Sequence, residues 1–541
     1  MAIVSINKKT FENKVGKLTQ ELKEKISMLG CPIEDETDTE LLLEISPNRP
    51  DLLSEQGITR AVLSFIGKKT GLREYKSEKS DYEVIIDKSV EKIRPFTACA
   101  VVKDLALDNA KIKEIIDIQE KLHSTYGRNR KKIAIGIYPS EKITFPIYYR
   151  ALPPEKIKFR PLESSTELSA SDILKKTTAG KEYGHLLEGK KKFPIFADSK
   201  GEIMSMPPII NSHATGKITE ITKDVFIECS GFDFLSLSKC LNILVTALAD
   251  MGGKICKINL KYAKKELSSP NLSPEKIKLN GDNVNKILGL ELKEKEIFKY
   301  LEKMGFGYGK GGGKEKEVLI PSYRADIMHA IDLIEDIAIA YGYENFKPAL
   351  PQISTIGKES KIEILKQKIA EILVGLGLQE TCSYSLTNKQ DECKKMNTKE
   401  ELIGLLNAKT TYNALRTRIL PSLMKILSEN RSADYPQRIF ETGTVFKKNR
   451  EIEEKESLAI AITNSNFTEA KQILGYFLSA LGLEASILAS SHDSFIEGRT
   501  GKISLKGKEI GVIGELHPKV LSSWKIDVPV SAFEIYLDYL F

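Results

Sequence analysis

The stretch IPSYRADIMHAIDLIEDIAIAYGYENF, residues 320–346, carries four carboxylates in a segment whose apolar residues recur at helical spacing. The pattern predicts a helix that starts near His329. Three of the carboxylates stand at positions i, i+3 and i+4 and are expected on one face of that helix, with the fourth one turn earlier. Like charges at this spacing repel each other, so the cluster needs a compensating partner. In chain order the four are Asp326, Asp332, Glu335 and Asp336.

Two interpretations of this acidic cluster remain open from the pattern alone. Converging carboxylates with no nitrogen or sulfur ligand suit a hard divalent cation, and partial hydration favours Mg²⁺ over zinc. The alternative is an exposed acidic face whose early carboxylates are favoured by the helix dipole.

The length of 541 residues predicts several domains, each able to bury its own core. Hydrophobic residues make up 41% and charged residues 29%, with a net charge of +7. No apolar run is long enough to span a bilayer and no signal peptide is recognised, so a cytoplasmic protein without a membrane partner is expected. The seven cysteines form no Cys-x-x-Cys pair, and neither a disulfide framework nor a zinc site is predicted.

Composition shifts along the chain predict an α+β multidomain protein with four segments. A short strand and one helix over residues 10 to about 29 open the first segment, where Asp51 or Ser54 is expected to cap a second helix. The glycine-rich GYGKGG, residues 307–312, is interpreted as a hairpin loop, because a strand-like run follows it instead of the helix that a dinucleotide site needs. The predicted segments are 1–78, 79–266, 267–347 and 348–541.

Six stretches together resemble the β subunit of phenylalanyl-tRNA synthetase in its shorter archaeal and eukaryotic form. SPNRPDLLSEQGITRAV (46–62) resembles its N-terminal signature, and residues 320–346 resemble its B5 domain. MSMPPIINSHATGKIT (204–219) and DVFIECSG (224–231) resemble its editing domain, called B3/B4. Two further runs, within residues 405–446 and 498–518, resemble its catalytic-like module.

The resemblance implies a fold for each segment. In order these are an N-terminal α/β module, the B3/B4 editing domain, a winged-helix-like B5 domain and a class II synthetase-like antiparallel sheet without catalytic residues. The Gly-rich strand with a terminal arginine, which class II synthetases use to hold ATP, is not recognised in the last segment. The resemblance and this departure make Arg416, Glu441 and Arg499 fold or interface residues rather than catalysts.

The resemblance also implies an (αβ)₂ heterotetramer in which an α subunit holds ATP and phenylalanine and the partners charge tRNA(Phe). It assigns Asp326, Asp332, Glu335 and Asp336 as Mg²⁺ ligands at the subunit interface. The alternatives are a free-standing tRNA-binding adaptor without a ligase role and a trans-editing hydrolase, which would need neither the acidic cluster nor the catalytic-like module.

An editing site is expected because a pocket shaped for phenylalanine rejects tyrosine only weakly. An editing pocket should offer a hydrogen-bond acceptor to the tyrosine hydroxyl, and Glu228 is the candidate, with Ser230 on the same face of its strand. Ser205 and Asn211 flank the Pro-Pro turn and complete the set. Each also has an ordinary interpretation, as a strand polar group paired with nearby backbone or, for Asn211, as a turn former.

A basic cluster offers a surface for nucleic acid. Its side chains are expected either to meet the tRNA backbone, where neutralising phosphates supplies most of the affinity, or to form a solvated loop. Its members are Arg128, Arg130, Lys131 and Lys132.

Overall fold

The computed structural model describes residues 2–162, 164–309, 315–351, 353 and 355–540. The chain forms two compact units, Met1–Ala349 and Leu350–Phe541. The division into four segments is finer than this and stays a prediction. None of the helices in the described part of the chain is long and apolar enough to cross a bilayer.

The first unit opens with a three-stranded antiparallel sheet in which Glu40–Ile45 lies between Ala2–Asn7 and Ile33–Glu36. The helix predicted over residues 10 to about 29 is wrong as a single element, because the left-handed Gly16 (φ +99°) ends one helix before the next begins. Ser54, rather than Asp51, caps the third helix by accepting from the Gly57 N–H at 3.1 Å. The three helices are Lys8–Val15, Gln20–Met28 and Glu55–Phe65.

A large mixed sheet forms the centre of the first unit, and its side-by-side order explains how residues distant in sequence meet. Along the sheet the strands are Ile210–Asn211, Ile203–Met206, Phe193–Ala197, Ile147–Leu152, Glu83–Ile86, Lys254–Tyr262, Phe96–Lys103, Val225–Gly231 and Ile133–Pro139. The strands Ser77–Glu78 and Glu266–Ser269 also pair with Lys254–Tyr262. The accompanying helices are Asn109–Ser124, Ala170–Lys176, Thr178–Tyr183 and Phe234–Asp250, and a small hairpin pairs Lys158–Phe159 with Leu168–Ser169.

The last part of the first unit combines a small antiparallel sheet with three helices. Its strands are Glu275–Asn280, Glu315–Ile320 and Gly307–Tyr308, and its helices are Gly281–Leu288, Glu294–Lys303 and Ala330–Tyr341. The predicted start near His329 is confirmed, since His329 is the residue before the last of these helices. The predicted glycine-rich hairpin loop has its residues 310–314 outside the described part of the chain.

The second unit is built on a seven-stranded sheet. In spatial order its strands are Gln379–Glu380, Arg438–Lys448, Ile452–Thr463, Val530–Tyr536, Lys508–Leu516, Phe495–Leu505 and Ala485–Ala489. The first pair is parallel and all other pairs are antiparallel. Two hydrophobic clusters lie against this sheet. The helices are Lys361–Gly375, Leu420–Glu429, Phe467–Ala480 and Pro518–Trp524, with a short ladder between Leu386–Thr387 and Ala414–Leu415.

Candidate functional site

A cavity of about 270 Å³ lies in the first unit, where the strand Val225–Gly231 faces the turn between Ile203–Met206 and Ile210–Asn211. Eight of its fourteen lining residues are apolar and six are polar or charged, so it can contact an apolar ring and offers several hydrogen-bonding groups. It is lined by Gln119, Glu120, His123, Arg130, Ala134, Ile135, Leu162, Ala179, Pro207, Pro208, Ile209, Ile210, Asn211 and Glu228.

Sheet register places Glu228 directly across from Gly136, on the neighbouring strand Ile133–Pro139. A Cβ atom at Gly136 would lie 2.6 Å from Glu228 Oε1 and would overlap the Tyr138 hydroxyl. A side chain is therefore not accommodated at this position, and glycine leaves the space that the Glu228 carboxyl and the Tyr138 ring occupy. Glycine inside a buried strand often marks such a close approach.

The Glu228 carboxyl is buried, with 2% of the residue exposed, and is only partly satisfied. The Tyr138 hydroxyl lies 3.3 Å from Glu228 Oε1 and 3.3 Å from Asn211 Oδ1, and its single proton can serve one of them. Glu228 Oε2 makes no hydrogen bond in the described structure. Burial raises the pKa of Glu228 to about 8, although the Arg94 guanidinium opposes that rise.

The structure brings Ser205 and Asn211 together as directly paired residues of adjacent strands. Asn211 lines the cavity with Glu228, as an editing set requires. Ser205 is 1% exposed, and its hydroxyl has no hydrogen-bond partner among the described residues. Asn211 and Glu228 therefore share the cavity lining, whereas Ser205 lies beside Asn211 outside that lining, and the roles predicted for the three residues stay predictions.

Ser230, the fourth residue of the predicted editing set, is hydrogen-bonded to Arg94. Its hydroxyl accepts from Arg94 Nε at 3.2 Å, and its carbonyl accepts from Arg94 Nη2 at 2.6 Å. Arg94 therefore fixes the end of the strand next to Glu228, while Ser230 does not belong to the cavity lining of the described residues.

The cavity lining also includes a charged group, Arg130, that the sequence did not place there. Arg130 donates from Nη1 to the Ile209 carbonyl at 2.7 Å and from Nη2 to Glu120 at 3.2 Å. Burial opposes ionisation of Glu120, but His123 and Arg130 together lower its pKa to about 2. Arg130 thus ties the helix Asn109–Ser124 to the wall of the cavity and is engaged within the protein, unlike the exposed Arg128.

Sequence reasoning missed Tyr138, Gly136 and Arg94. The one signal available was the glycine inside the apolar run KIAIGIY, since a glycine in a buried strand points to something that needs its space. Nothing local indicated Arg94, because its contacts with Ser230 depend on the order of strands in the sheet.

The acidic cluster of residues 326–336 has its compensating partner in Arg324. This guanidinium donates from Nε to Asp326 Oδ1 at 2.8 Å and from Nη2 to Asp326 Oδ2 at 2.7 Å. Nη2 also donates to Asp336 Oδ2 at 2.7 Å. Burial favours the neutral form of Asp326, but Arg324 outweighs it and lowers the pKa of that carboxyl to about 2. Burial raises the pKa of Asp336, with Arg324 opposing.

The other two carboxylates point elsewhere. Asp332 Oδ2 accepts from the backbone N–H groups of Met328 and His329, both at 2.7 Å, and so caps its own helix. Glu335 is exposed, whereas Asp336 is buried against Arg324. Asp332, Glu335 and Asp336 thus stand at the predicted i, i+3 and i+4 positions of the helix Ala330–Tyr341, but their environments differ, because Asp336 is buried and Glu335 is exposed.

The four predicted ligands do not fit a single metal ion in this arrangement. Among the described residues, no group of three or more His, Cys, Asp or Glu side chains is arranged to hold one. Arg324 already supplies the positive charge between Asp326 and Asp336. The magnesium assignment stays a prediction, and no chemistry is derived through the ion.

In the second unit the three residues predicted to have fold or interface roles form ion pairs. Arg416 and Glu441 form an ion pair at 2.6 Å with both side chains 3% exposed. Arg499 pairs with Glu515 at 2.6 Å on a more exposed edge. These contacts agree with the predicted fold role, which stays a prediction.

Comparison with known proteins defines the class. Residues 277–343 match the tRNA synthetase B5 domain, and residues 347–537 match the phenylalanyl tRNA synthetase beta chain CLM domain. With its mixed α/β units, the chain is thus a subunit of an aminoacyl-tRNA synthetase.

Curated relatives make the family specific. The chain is 43% identical to the phenylalanine–tRNA ligase beta subunit of Pyrococcus abyssi over 91% of its length and 90% of the relative's. It is 38% identical to the Archaeoglobus fulgidus beta subunit over 100% and 99% of the two chains. The chain belongs to the family of phenylalanine–tRNA ligase beta subunits, which supports a ligase subunit over an adaptor.

A solved structure is similar to a large part of this chain. The N-terminal fragment of the phenylalanyl-tRNA synthetase beta-subunit from Pyrococcus horikoshii is 37% identical, with a TM-score of 0.61. It covers 63% of this chain and 100% of its own.

Proposed function

We propose that this β subunit works with an α subunit in an (αβ)₂ heterotetramer that attaches phenylalanine to tRNA(Phe) in the cytoplasm. The proposal includes a second activity on this chain, the hydrolysis of Tyr-tRNA(Phe) at the Glu228 cavity. ATP and phenylalanine bind the α subunit, and tRNA reaches the cavity past Arg128, Lys131 and Lys132. The observation that carries the editing activity is the buried Glu228 carboxyl, whose Oε2 lacks a partner beside a cavity.

The cavity offers a hydrogen-bonding partner for the hydroxyl group that tyrosine has and phenylalanine lacks. Apolar walls such as Ile135 and Ile210 suit either ring, so they supply affinity without discrimination. A phenol hydroxyl reaching Glu228 satisfies a buried polar group, whereas a phenyl ring leaves that group unpaired and desolvated. Sites that hydrogen-bond a substrate hydroxyl reject analogues without it far more strongly than apolar pockets reject an added hydroxyl.

The protonation of Glu228 sets the size of this effect. With a pKa of about 8, the carboxyl is mostly neutral at pH 7 and can either donate to or accept from a phenol. A bond between neutral groups contributes about 0.5–1.5 kcal/mol, which corresponds to roughly a twofold to tenfold effect on a rate when the bond forms in the transition state.

Hydrolysis at this site uses a positioned water rather than an enzyme nucleophile. The histidine that lines the cavity, His123, accepts from the Ile135 N–H through Nε2 at 2.8 Å and faces Glu120 with Nδ1 at 3.2 Å. Both ring nitrogens are therefore occupied, and burial lowers the pKa of His123. Without a free base beside it, the Ser205 hydroxyl is not activated for attack.

Single-turnover deacylation of preformed Tyr-tRNA(Phe) by heterotetramers tests the editing proposal. Glu228→Ala should slow hydrolysis about twofold to tenfold, and Gly136→Ala should slow it at least as much by filling the site. Glu220→Ala, an exposed carboxylate removed from the same unit, is the matched control and should leave the rate unchanged.

Phenylalanine charging, measured in parallel, should be the same in all four proteins. Equal deacylation rates for wild type and Glu228→Ala would exclude Glu228 as the group that reads the tyrosine hydroxyl. Loss of charging together with editing would show damage to the fold instead.

A further inference from the structure

A second cavity, of about 300 Å³, lies in the first unit, beside the helix Glu55–Phe65 and apart from the Glu228 site. Its lining is unusual in charge, because five cationic side chains and one carboxylate face it. The cations are Arg49, Arg60, Lys69, Arg73 and Arg324, and the carboxylate is Asp51. Apolar and small residues, including Ala61 and Leu72, complete the walls.

The carboxylates that balance most of these cations lie outside the cavity lining. Asp250 pairs with Arg60 at 3.0 Å and with Arg73 at 2.8 Å, yet it is not among the residues that line the space. Arg49 is the exception, since it forms a bidentate pair with Asp51 at 2.9 Å within the wall. Arg60, Arg73 and Arg324 are thus paired with carboxylates outside the cavity lining, and Arg49 with one inside it.

Arg324 provides the strongest indication of a missing partner. Its Nε and Nη2 atoms are taken by Asp326 and Asp336, and its side chain is 2% exposed. Its Nη1 atom is buried and makes no hydrogen bond in the described structure. A buried guanidinium N–H without an acceptor is costly, so an acceptor is expected in the adjoining space.

Lys69 adds a charge that nothing local neutralises. It is exposed at the cavity, and no ion pair to it is formed among the described residues. A ligand that satisfies both Lys69 and Arg324 must present anionic oxygens in more than one direction. Phosphate groups do so, since one oxygen can accept from the free Nη1 of Arg324 while another faces the Lys69 ammonium, and hydrogen bonds between charged groups are the stronger ones.

We infer that this cavity binds a small phosphate-bearing anion, with Arg324 and Lys69 as ligands from different walls. The size of the cavity limits the ligand to a small molecule at the lower end of the usual range for such pockets. The inference does not depend on editing, because the cavity shares no lining residue with the Glu228 site.

Calorimetric titration of the full-length chain with inorganic pyrophosphate, without divalent metal and at low ionic strength, tests the inference. The wild-type chain should bind pyrophosphate at one site. Lys69→Glu should weaken that binding at least tenfold. Lys79→Glu makes the same change in net charge at an exposed lysine outside the cavity lining and should change the affinity less than twofold.

An uncharged variant gives a second, independent test. Ala61→Leu extends a side chain into the cavity and should weaken binding at least tenfold without altering charge. Melting temperatures close to that of wild type are required of each variant, and Ala61→Ser replaces Ala61→Leu if the larger residue unfolds the chain. Absence of pyrophosphate binding by the wild type, or equal weakening by Lys69→Glu and Lys79→Glu, would overturn the inference.

Discussion

Glu228 in the first unit and Glu534 in the second are both buried glutamates on interior strands, but their surroundings differ. Glu534 Oε1 accepts from the Ile419 N–H at 2.8 Å and from Ser457 Oγ at 3.2 Å, and its Oε2 accepts from the Leu420 N–H at 3.0 Å. Glu228 has one long contact at 3.3 Å and a free Oε2 beside a cavity. Burial raises the pKa of both carboxyls.

The difference separates a structural carboxylate from one available to a ligand. Glu534 supplies acceptors to N–H groups at the start of the helix Leu420–Glu429, which have no partner within the helix itself. Its hydrogen-bonding capacity is used by the protein. Glu228 retains capacity that only water or a ligand can use, so burial and a raised pKa alone do not identify a binding site.

The largest expected effect is the loss of stability when Glu534 is replaced, which tests the comparison directly. Glu534→Ala should lower the free energy of unfolding by about 2–5 kcal/mol, because two buried N–H groups lose their acceptor. Glu228→Ala should cost about 1 kcal/mol or less, since one weak contact is lost. Urea denaturation of the two variants measures both values, and similar losses would show that Glu228 is as structural as Glu534.

Local features of the chain could be predicted from the sequence better than contacts between distant residues. It placed Glu228 on a strand and the start of the helix Ala330–Tyr341 at His329, because strand composition and helical spacing are read within a few residues. It missed the break at Gly16, where a left-handed glycine interrupts an otherwise helical run. Local pattern did not decide between Asp51 and Ser54 as a cap either.

The contacts that define each site required the three-dimensional structure. Tyr138 meets Glu228 across paired strands, although the two residues are 90 positions apart in the sequence. Arg324 stands two residues before Asp326, so its charge was visible in the sequence, but its simultaneous contact with Asp336 depends on how the helix packs. The sequence therefore identified the carboxylates of the cavity and of the acidic cluster, but not the side chains that contact them.

The pH dependence of stability sharpens the comparison further. The carboxyl of Glu228 has an ordinary pKa of 4.5 in the unfolded chain and a pKa of about 8 in the folded chain. Between these values the folded protein holds a proton that the unfolded chain has lost. The contribution of Glu228 to the free energy of unfolding is therefore fully present below pH 4.5 and falls as the pH rises, by at most about 1.4 kcal/mol per pH unit, until about pH 8.

Glu228→Gln removes this titration and keeps the shape of the side chain. The difference in unfolding free energy between wild type and Glu228→Gln should therefore change with pH between 4.5 and 8 and become constant above that range. Glu220→Gln, at an exposed position, should show no such pH-dependent difference. A constant difference across the whole range for Glu228→Gln would show that the carboxyl titrates normally and is hydrated in the folded state.

The smallest expected effect concerns Asp332 and Glu335, the two carboxylates of the acidic cluster that do not contact Arg324. A capping role and a metal-binding role predict different results for them. Without metal, Asp332→Ala should cost about 1 kcal/mol because the N–H groups of Met328 and His329 lose their acceptor. Glu335→Ala, at an exposed position, should change stability by less than about 0.5 kcal/mol.

If Asp332 and Glu335 bind a metal ion, each substitution also removes the stabilisation that the ion supplies. An ion bound only by the folded state stabilises that state by about 2.7 kcal/mol when its concentration is a hundred times its dissociation constant. Melting the heterotetramer with Mg²⁺ or with a chelator therefore separates the two roles. If both variants lose the Mg²⁺-dependent shift, Asp332 and Glu335 are ligands, and Arg324 must release Asp326 and Asp336 for all four carboxylates to bind. If wild type and Glu335→Ala show the same shift, the predicted ligand set is wrong, and Arg324 remains the cation of this cluster.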